Sequence, residues 1–140
     1  MRKITKIIIH CTATPEGRDV SVDEIRQWHL DRGWSDIGYH YVIDINGHLK
    51  EGRPVKRSGA HVKGHNRGSI GIAYVGGVDS NLKAKDTRTE MQKGRLKALI
   101  LDLMDKNPCA TLHGHNEFAN KACPSFDVQE EYADIIEYFK

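Results

Sequence analysis

Signals for strands and helices alternate along this chain, and their order limits the fold more than any other property of the sequence. The run from Lys6 to Cys11 is apolar and β-branched, which predicts a buried strand with His10 near its carboxyl end. A helix is expected next, because Ser21-Val22-Asp23-Glu24 has the form of a capping box and Gly33 is placed to end the helix. The first unit is therefore a strand followed by a helix.

A hairpin and a second buried strand are predicted in the middle of the chain. Residues Tyr39 to Ile45 alternate in polarity, and the following Asn46-Gly47 favours a type I′ turn that returns the chain through His48 to Gly52. The segment 53–69 is Gly-rich, basic and long for a connection, and loops of that length are often functional. Ile70 to Val75 should form the next strand.

The last part of the chain completes the alternation. Thr87-Arg88-Thr89-Glu90 offers a second capping box ahead of a helix that Pro108 ends, and Cys109 to His113 indicates another strand. Residues 114–126 should form a loop before a final helix from Val128 to Phe139. This order predicts one α/β domain over residues 1–140, with a central mixed β-sheet, helices packed on its faces and a ligand groove at the strand ends.

Composition narrows the class of protein. A hydrophobic fraction of 39% over 140 residues is enough for one core, and the expected state is a monomer. The apolar stretch before His10 is only Ile7 to Ile9, too short for a signal peptide or a membrane span, so we expect synthesis in the cytoplasm. With 21 basic and 19 acidic residues, neither a nucleic-acid partner nor a membrane partner is predicted. The basic residues between Arg53 and Arg67 form either a binding surface or a merely solvated loop.

Candidate metal ligands cluster late in the chain. His115 and Cys123 lie on the predicted loop, and His10 on the first strand can supply a third ligand, which would leave a fourth zinc position open for water. Spacing alone leaves an alternative, a buried thiol beside a surface histidine, and it leaves His10 equally explicable as a core residue. Cys11 should point away from His10 into the core, because side chains alternate along a strand.

The whole chain resembles the type 2 N-acetylmuramoyl-L-alanine amidase family, which includes the T-odd phage lysozymes and the peptidoglycan-recognition proteins, and it resembles the phage endolysin branch most. The resemblance runs in order from about Ile7 to Val128. The stretches that carry it are His10-Cys11-Thr12-Ala13-Thr14, Ile25-Arg26-Gln27-Trp28-His29, Gly33-Trp34, Gly38-Tyr39-His40, Gly64-His65-Asn66, Ser69-Ile70-Gly71, Val75-Gly76-Gly77 and Lys121-Ala122-Cys123-Pro124-Ser125-Phe126-Asp127.

The resemblance implies one zinc ion held by His10, His115 and Cys123, with Tyr39 and Lys121 as catalytic residues. It implies hydrolysis of the bond between N-acetylmuramic acid and L-alanine in peptidoglycan, by an endolysin that reaches periplasmic peptidoglycan after holin-type release. The residue types fit this chemistry, since zinc activates water and an ammonium group stabilises an oxyanion.

Other residues are expected around this site. His61, Asn66, Trp34 and His113 are predicted to contact substrate in the groove, with the basic loop suited to the carboxylates of the stem peptide. Glu117 is expected to hydrogen-bond to a ligand histidine rather than to act as the general base.

The alternative function is a peptidoglycan-binding or regulatory protein. A phage relative of this family also inhibits its RNA polymerase, so a polymerase contact is conceivable, although His10 here follows only nine residues, a shorter lead than in that relative.

Overall fold

A five-stranded mixed sheet forms the centre of the computed structural model, which describes residues 2–140. The strands are β1 (Lys6–Cys11), β2 (Thr14–Pro15), β3 (Tyr41–Ile43), β4 (Leu49–Glu51), β5 (Ser69–Tyr74), β6 (Gly77–Val78) and β7 (Thr111–Gly114). The helices are α1 (Val22–Asp31), α2 (Glu90–Lys106), α3 (Val128–Glu131) and α4 (Ala133–Tyr138), with a 3-10 turn at His115–Glu117. The predicted α/β class is confirmed.

The order of strands in the sheet is β4-β3-β5-β1-β7, and only the β3–β4 pair is antiparallel. Strand β1 lies between β5 and β7, and its residues from Ile7 onward are all buried. A strand with parallel neighbours and two covered faces needs apolar side chains on both faces, which accounts for the Ile7–Ile9 run. The sequence did not predict the small sheet of β2 and β6, which continues the parallel pairing of β1 with β5.

Apolar clusters cover both faces of the sheet. The larger one joins one face to α2, α3 and α4, and it includes Leu96 and Ile100 of α2, both fully buried. The smaller one packs Ile25 of α1 against Ile37 and Val42. The prediction of helices on the faces of the sheet is therefore confirmed. Among residues 2–140, no helix has the length and hydrophobicity needed to cross a membrane.

The two predicted capping boxes have different outcomes. At α1 the box is confirmed, because Ser21 Oγ accepts from the Glu24 amide at 3.1 Å and Glu24 Oε1 accepts from the Ser21 amide at 3.4 Å. At α2 the predicted position is wrong by two residues, since Thr89 is the cap and Gln92 is its partner. Thr87 instead accepts a hydrogen bond from the Gly77 amide at 2.8 Å, which fastens β6.

The predicted hairpin forms with a different turn. A type I′ turn needs positive φ at two residues, but only Gly47, at φ +82°, has it here. The Gly47 amide donates to the Asp44 carbonyl, and Asp44 Oδ1 accepts from the amides of Asn46 and His48. The Asp44 side chain therefore stabilises the turn that Asn46-Gly47 was expected to form by its backbone preference alone.

Boundaries near the carboxyl end also differ from the prediction. The strand predicted from Cys109 begins at Thr111, and the single final helix is broken into α3 and α4 at Tyr132, where φ is −111° and ψ is 25°.

Candidate active site

Three segments that are distant in the sequence meet at the carboxyl edge of the sheet. His10 is the next-to-last residue of β1, His115 follows its parallel neighbour β7, and Cys123 lies on the loop before α3. Their potential ligand atoms all lie within 4.8 Å of one another, and the two imidazole centroids are 4.6 Å apart. Parallel pairing of β1 with β7 is what brings the two histidines together.

The donor set fits a tetrahedral metal ion. Cys123 Sγ lies 3.8 Å from His10 Nδ1, and a zinc ion with ordinary bond lengths separates a nitrogen ligand from a sulfur ligand by about 3.5 Å. His10 is 1% exposed, whereas His115 and Cys123 are half-buried, so the site is closed on the side of β1 and reached by solvent at His115 and Cys123. Two imidazoles and one thiol supply three ligands and leave a position for water or substrate, the composition of a catalytic zinc site.

The loop that carries Cys123 is held by contacts on both sides. The Cys11 amide lies 3.1 Å from Cys123 Sγ and donates to it, while the Tyr74 hydroxyl donates to the Pro124 carbonyl at 2.6 Å. Ser125 Oγ donates to the Gly77 carbonyl at 2.7 Å. Cys11 itself is 4% exposed, as predicted for a core residue. The Cys123 thiol is therefore positioned by contacts from β1, β5 and β6 rather than by contacts within the loop that carries it.

Burial sets the protonation of the ligands. The hydrogen bond with the Cys11 thiol, and then burial, raise the pKa of Cys123, so a stable thiolate there needs a cation beside it. Burial lowers the pKa of His10 well below its usual value, and burial followed by the charge of Lys121 lowers the pKa of His115. Both imidazoles are thus kept neutral, the form in which they bind metals.

Tyr39 and Lys121 both lie near this cluster. The Tyr39 ring centroid is 5.2 Å from that of His10, and burial followed by the proximity of the Cys123 thiol raises the pKa of its hydroxyl. Lys121 is exposed two residues before Cys123, and its charge acts on His115. Tyr39 therefore stays protonated at neutral pH, and Lys121 supplies a positive charge at the mouth of the site.

His29 holds the segment before Tyr39, although the sequence did not single it out. Its Nδ1 accepts from the Gly38 amide at 2.8 Å, and its ring lies between those of Trp34 and Tyr39, with centroids at 4.6 and 5.5 Å. Trp34 is half-buried beneath the Arg32 guanidinium, which is 5.5 Å from its ring centroid. Substrate contact by Trp34 stays a prediction.

The prediction that His61 lines the groove is wrong. His61 is 9% exposed, and its Nδ1 lies 2.8 Å from His10 Nε2, behind the metal cluster. Asn66 uses its amide oxygen within the loop, where it accepts from the amides of His61 and Val62 at 2.9 Å each. The loop turns inward at this point because its side-chain and backbone polar groups satisfy one another there.

Glu117 does not bind a ligand histidine, so that prediction is also wrong. Its Oε1 accepts from His113 Nδ1 at 2.8 Å, and its Oε2 accepts from the Gly114 amide at 2.7 Å. The 3-10 turn causes this, because its third residue reaches back to the residue that precedes the turn. His113 has its other ring nitrogen 2.7 Å from Thr111 Oγ1, so both of its nitrogens have partners inside the protein and neither is left for substrate.

The basic loop is only partly a surface. Arg53 is 8% exposed, and its guanidinium donates to the carbonyls of Ile37, Ser58 and Asp36. Its charge is therefore not available to a stem-peptide carboxylate, whereas Lys63 and Arg67 remain exposed. Nothing in the sequence indicates this difference, since all the basic residues of the loop look alike in it.

This arrangement defines a class of protein: an α/β domain with two histidines and a cysteine at the carboxyl edge of a mixed sheet, a donor set that can hold a metal ion. Comparison with known proteins gives the particular family. The family model for N-acetylmuramoyl-L-alanine amidases matches residues 1–126.

Relatives and solved structures agree with that match. The endolysin of Escherichia phage T7 is 44% identical over 123 residues, which cover 88% of this chain and 82% of that protein. The amidase LysC from Clostridium intestinale URNW has a TM-score of 0.81 and 29% identity, covering 96% of this chain and 86% of that one. The peptidoglycan recognition proteins LCa and LCx, solved with tracheal cytotoxin bound, give a TM-score of 0.75 at 27% identity, covering 94% and 82%. The chain belongs to the N-acetylmuramoyl-L-alanine amidase family and is an amidase.

Proposed function

We propose that this amidase cleaves the bond between N-acetylmuramic acid and L-alanine in peptidoglycan with one zinc ion held by His10, His115 and Cys123. The observation that carries the proposal is the convergence of these three side chains within 4.8 Å, in a chain of this family. Peptidoglycan as the substrate is supported by the endolysin relatives and by the similar recognition proteins solved with tracheal cytotoxin.

Zinc held there would act as a Lewis acid that makes a water molecule nucleophilic at neutral pH. The lactyl carbonyl of muramic acid gains negative charge as it is attacked, and the Lys121 ammonium at the mouth of the site is the group that stabilises this charge. Tyr39, protonated because burial raises its pKa, serves as a hydrogen-bond donor that orients the water or gives a proton toward the leaving amine. The raised pKa of Tyr39 argues against its use as a general base.

The biological role that we propose is lysis of the host wall by an endolysin acting as a monomer. This proposal is supported by the relatives called endolysins. The enzyme would be made in the cytoplasm and would reach periplasmic peptidoglycan after holin-type release. A contact with RNA polymerase stays a prediction, and unchanged transcript yield with excess protein would remove it.

The metal site can be tested by exchanging cysteines one at a time. Wild-type protein should bind about one zinc ion and release products that carry a free lactyl carboxylate and a new N-terminal alanine, as detected by mass spectrometry. Cys123→Ala should lose both the zinc and the lytic activity, because a tetrahedral site loses its only thiolate. Cys109→Ala is the matched control, since Cys109 is exposed and is not one of the three clustered residues. Full lysis by the Cys123→Ala protein would refute the proposed site.

A further inference from the structure

A row of buried polar groups leads from His10, one of the three candidate metal ligands, into the protein. His10 Nε2 lies 2.8 Å from His61 Nδ1, His61 Nε2 lies 3.1 Å from Ser69 Oγ, and Ser69 Oγ lies 3.3 Å from the Asn66 carbonyl oxygen. His10, His61 and Ser69 are 1%, 9% and 0% exposed. None of these contacts is between residues that are adjacent in the sequence, so the fold itself builds the row.

The far end of the row favours one arrangement of its hydrogens. The Asn66 carbonyl can only accept, and we assign the single hydroxyl hydrogen of Ser69 to it. Ser69 Oγ must then accept from His61 Nε2–H, which leaves His61 Nδ1 as an acceptor for His10 Nε2–H. His10 Nδ1 therefore carries no hydrogen, and this is the nitrogen that faces Cys123 Sγ at 3.8 Å.

Close packing keeps the His61 ring in this position. A Cβ at Gly71 of β5 would approach His61 Cγ to 2.6 Å, and a Cβ at Gly59 would approach His61 Cδ2 to 2.7 Å. Backbone thus lies against the ring at two glycines, where any side chain would displace it. The ring has little freedom to rotate or to move away from His10.

We propose that His61 is a positioning residue that fixes the tautomer of His10 and so presents its Nδ1 lone pair to the metal, with Ser69 and the Asn66 carbonyl setting the direction of the row. The inference rests on the proposed zinc site. A ligand histidine whose second nitrogen has a fixed acceptor is better oriented and more basic, and loss of such a partner commonly weakens metal binding by about 10–100-fold.

The first measurement uses the unmodified protein without metal. Long-range proton–nitrogen correlation by NMR should show His10 protonated at Nε2 and His61 protonated at Nε2. A hydrogen on His10 Nδ1 instead would overturn the inference, whatever the zinc content of the protein.

The second measurement compares zinc dissociation constants by competition with a chromophoric chelator. His61→Phe removes the acceptor and should bind zinc about 10–100-fold more weakly, whereas His61→Gln, whose amide oxygen can accept, should recover most of that loss. His48→Phe is the matched control on the exposed hairpin turn and should bind zinc as the wild type does. Thermal melts with excess zinc establish that each variant is folded.

The two proposals fail in different ways. Wild-type protein that binds no zinc refutes the metal site, while the NMR tautomers still test the hydrogen-bonded row. A folded His61→Phe protein with wild-type zinc affinity refutes the positioning role and leaves the metal site standing.

Discussion

Replacing Arg88 with alanine should destabilise the protein by about 3 kcal/mol, because this side chain joins three parts of the chain inside the fold. Its guanidinium makes two hydrogen bonds of 2.9 Å to Asp86, one of 2.7 Å to Glu131 and one of 3.0 Å to the Tyr132 hydroxyl. It also lies 3.6 Å from the centroid of the Phe126 ring, on the loop that follows Cys123. The start of α2, the end of α3 and the metal-site loop therefore share one cation.

The magnitude follows from the exposure of the partners. Removing one member of a buried ion pair costs about 3–5 kcal/mol when the other charge stays buried. The Arg88 side chain is 1% exposed, but those of Asp86 and Glu131 are 34% and 41% exposed, so water replaces part of the lost interaction and the lower end applies. With an unfolding entropy of about 2.1 cal/mol/K per residue, a loss of this size in a chain of 140 residues lowers Tm by about 10 °C.

Thermal unfolding of the zinc-free protein, followed by circular dichroism at pH 7.5, measures this loss. Arg88→Lys should lose about half as much, because an ammonium keeps the charge but cannot make the paired hydrogen bonds or the planar stacking. Arg95→Ala is the matched control on α2, the helix that follows Arg88, since its one side-chain hydrogen bond goes to the Gly47 carbonyl at 3.2 Å. A Tm for Arg88→Ala equal to that of Arg95→Ala would refute the reasoning.

Three further predictions concern the site and its surroundings. Lys121→Met should keep its zinc while losing about 100-fold in kcat, because the ammonium acts on the transition state; loss of zinc instead would make the lysine structural. Glu117→Gln should keep kcat within about threefold, and a loss of 100-fold or more would make Glu117 a general base after all. Burial is the main cause that lowers the pKa of His29 and His40 to about 4 and that of His61 to about 3, from 6.5. The free energy of unfolding that these neutral histidines contribute is present above pH 6.5 and is lost as the pH falls toward 4. Tm of the zinc-free protein should therefore drop over that window, and a Tm independent of pH would contradict the lowered pKa values.

The fold was largely predictable because its signals are local. The Ile7–Ile9 run, the Ser21 capping box and the apolar spacing of α2 each depend on residues a few positions apart, and each predicted the right kind of element. The errors arose where a distant partner decided the outcome. Thr87 is a plausible cap by sequence, but its hydroxyl accepts from the Gly77 amide instead. The turn at Asn46 is shaped by the Asp44 side chain.

The residues of the site also fall into those that local sequence signals could predict and those that depend on distant partners. The three candidate ligands could be named from residue types and from family resemblance, but the groups that orient them could not. His61 meets His10 across 51 positions, and Tyr74 meets Pro124 across 50. No spacing rule connects such pairs, and a buried hydrogen-bonding histidine has the same appearance in a sequence as one that binds substrate. Glu117 shows the reverse error, since its nearness to His115 in sequence suggested a contact that the 3-10 turn prevents.

The Gly-rich basic loop has a buried part next to His10 and an exposed part. Arg53 anchors the beginning of the loop by donating to three carbonyls, and Asn66 fastens its far end, so His61 is carried inward between them. Lys63 is left exposed between these anchor points, available to the carboxylates of a stem peptide. One segment thus supplies a fixed hydrogen-bond partner for His10 and an exposed positive charge. A loop built only for surface contact would not need Gly59 against the His61 ring, and a loop built only for packing would not need the exposed charge of Lys63.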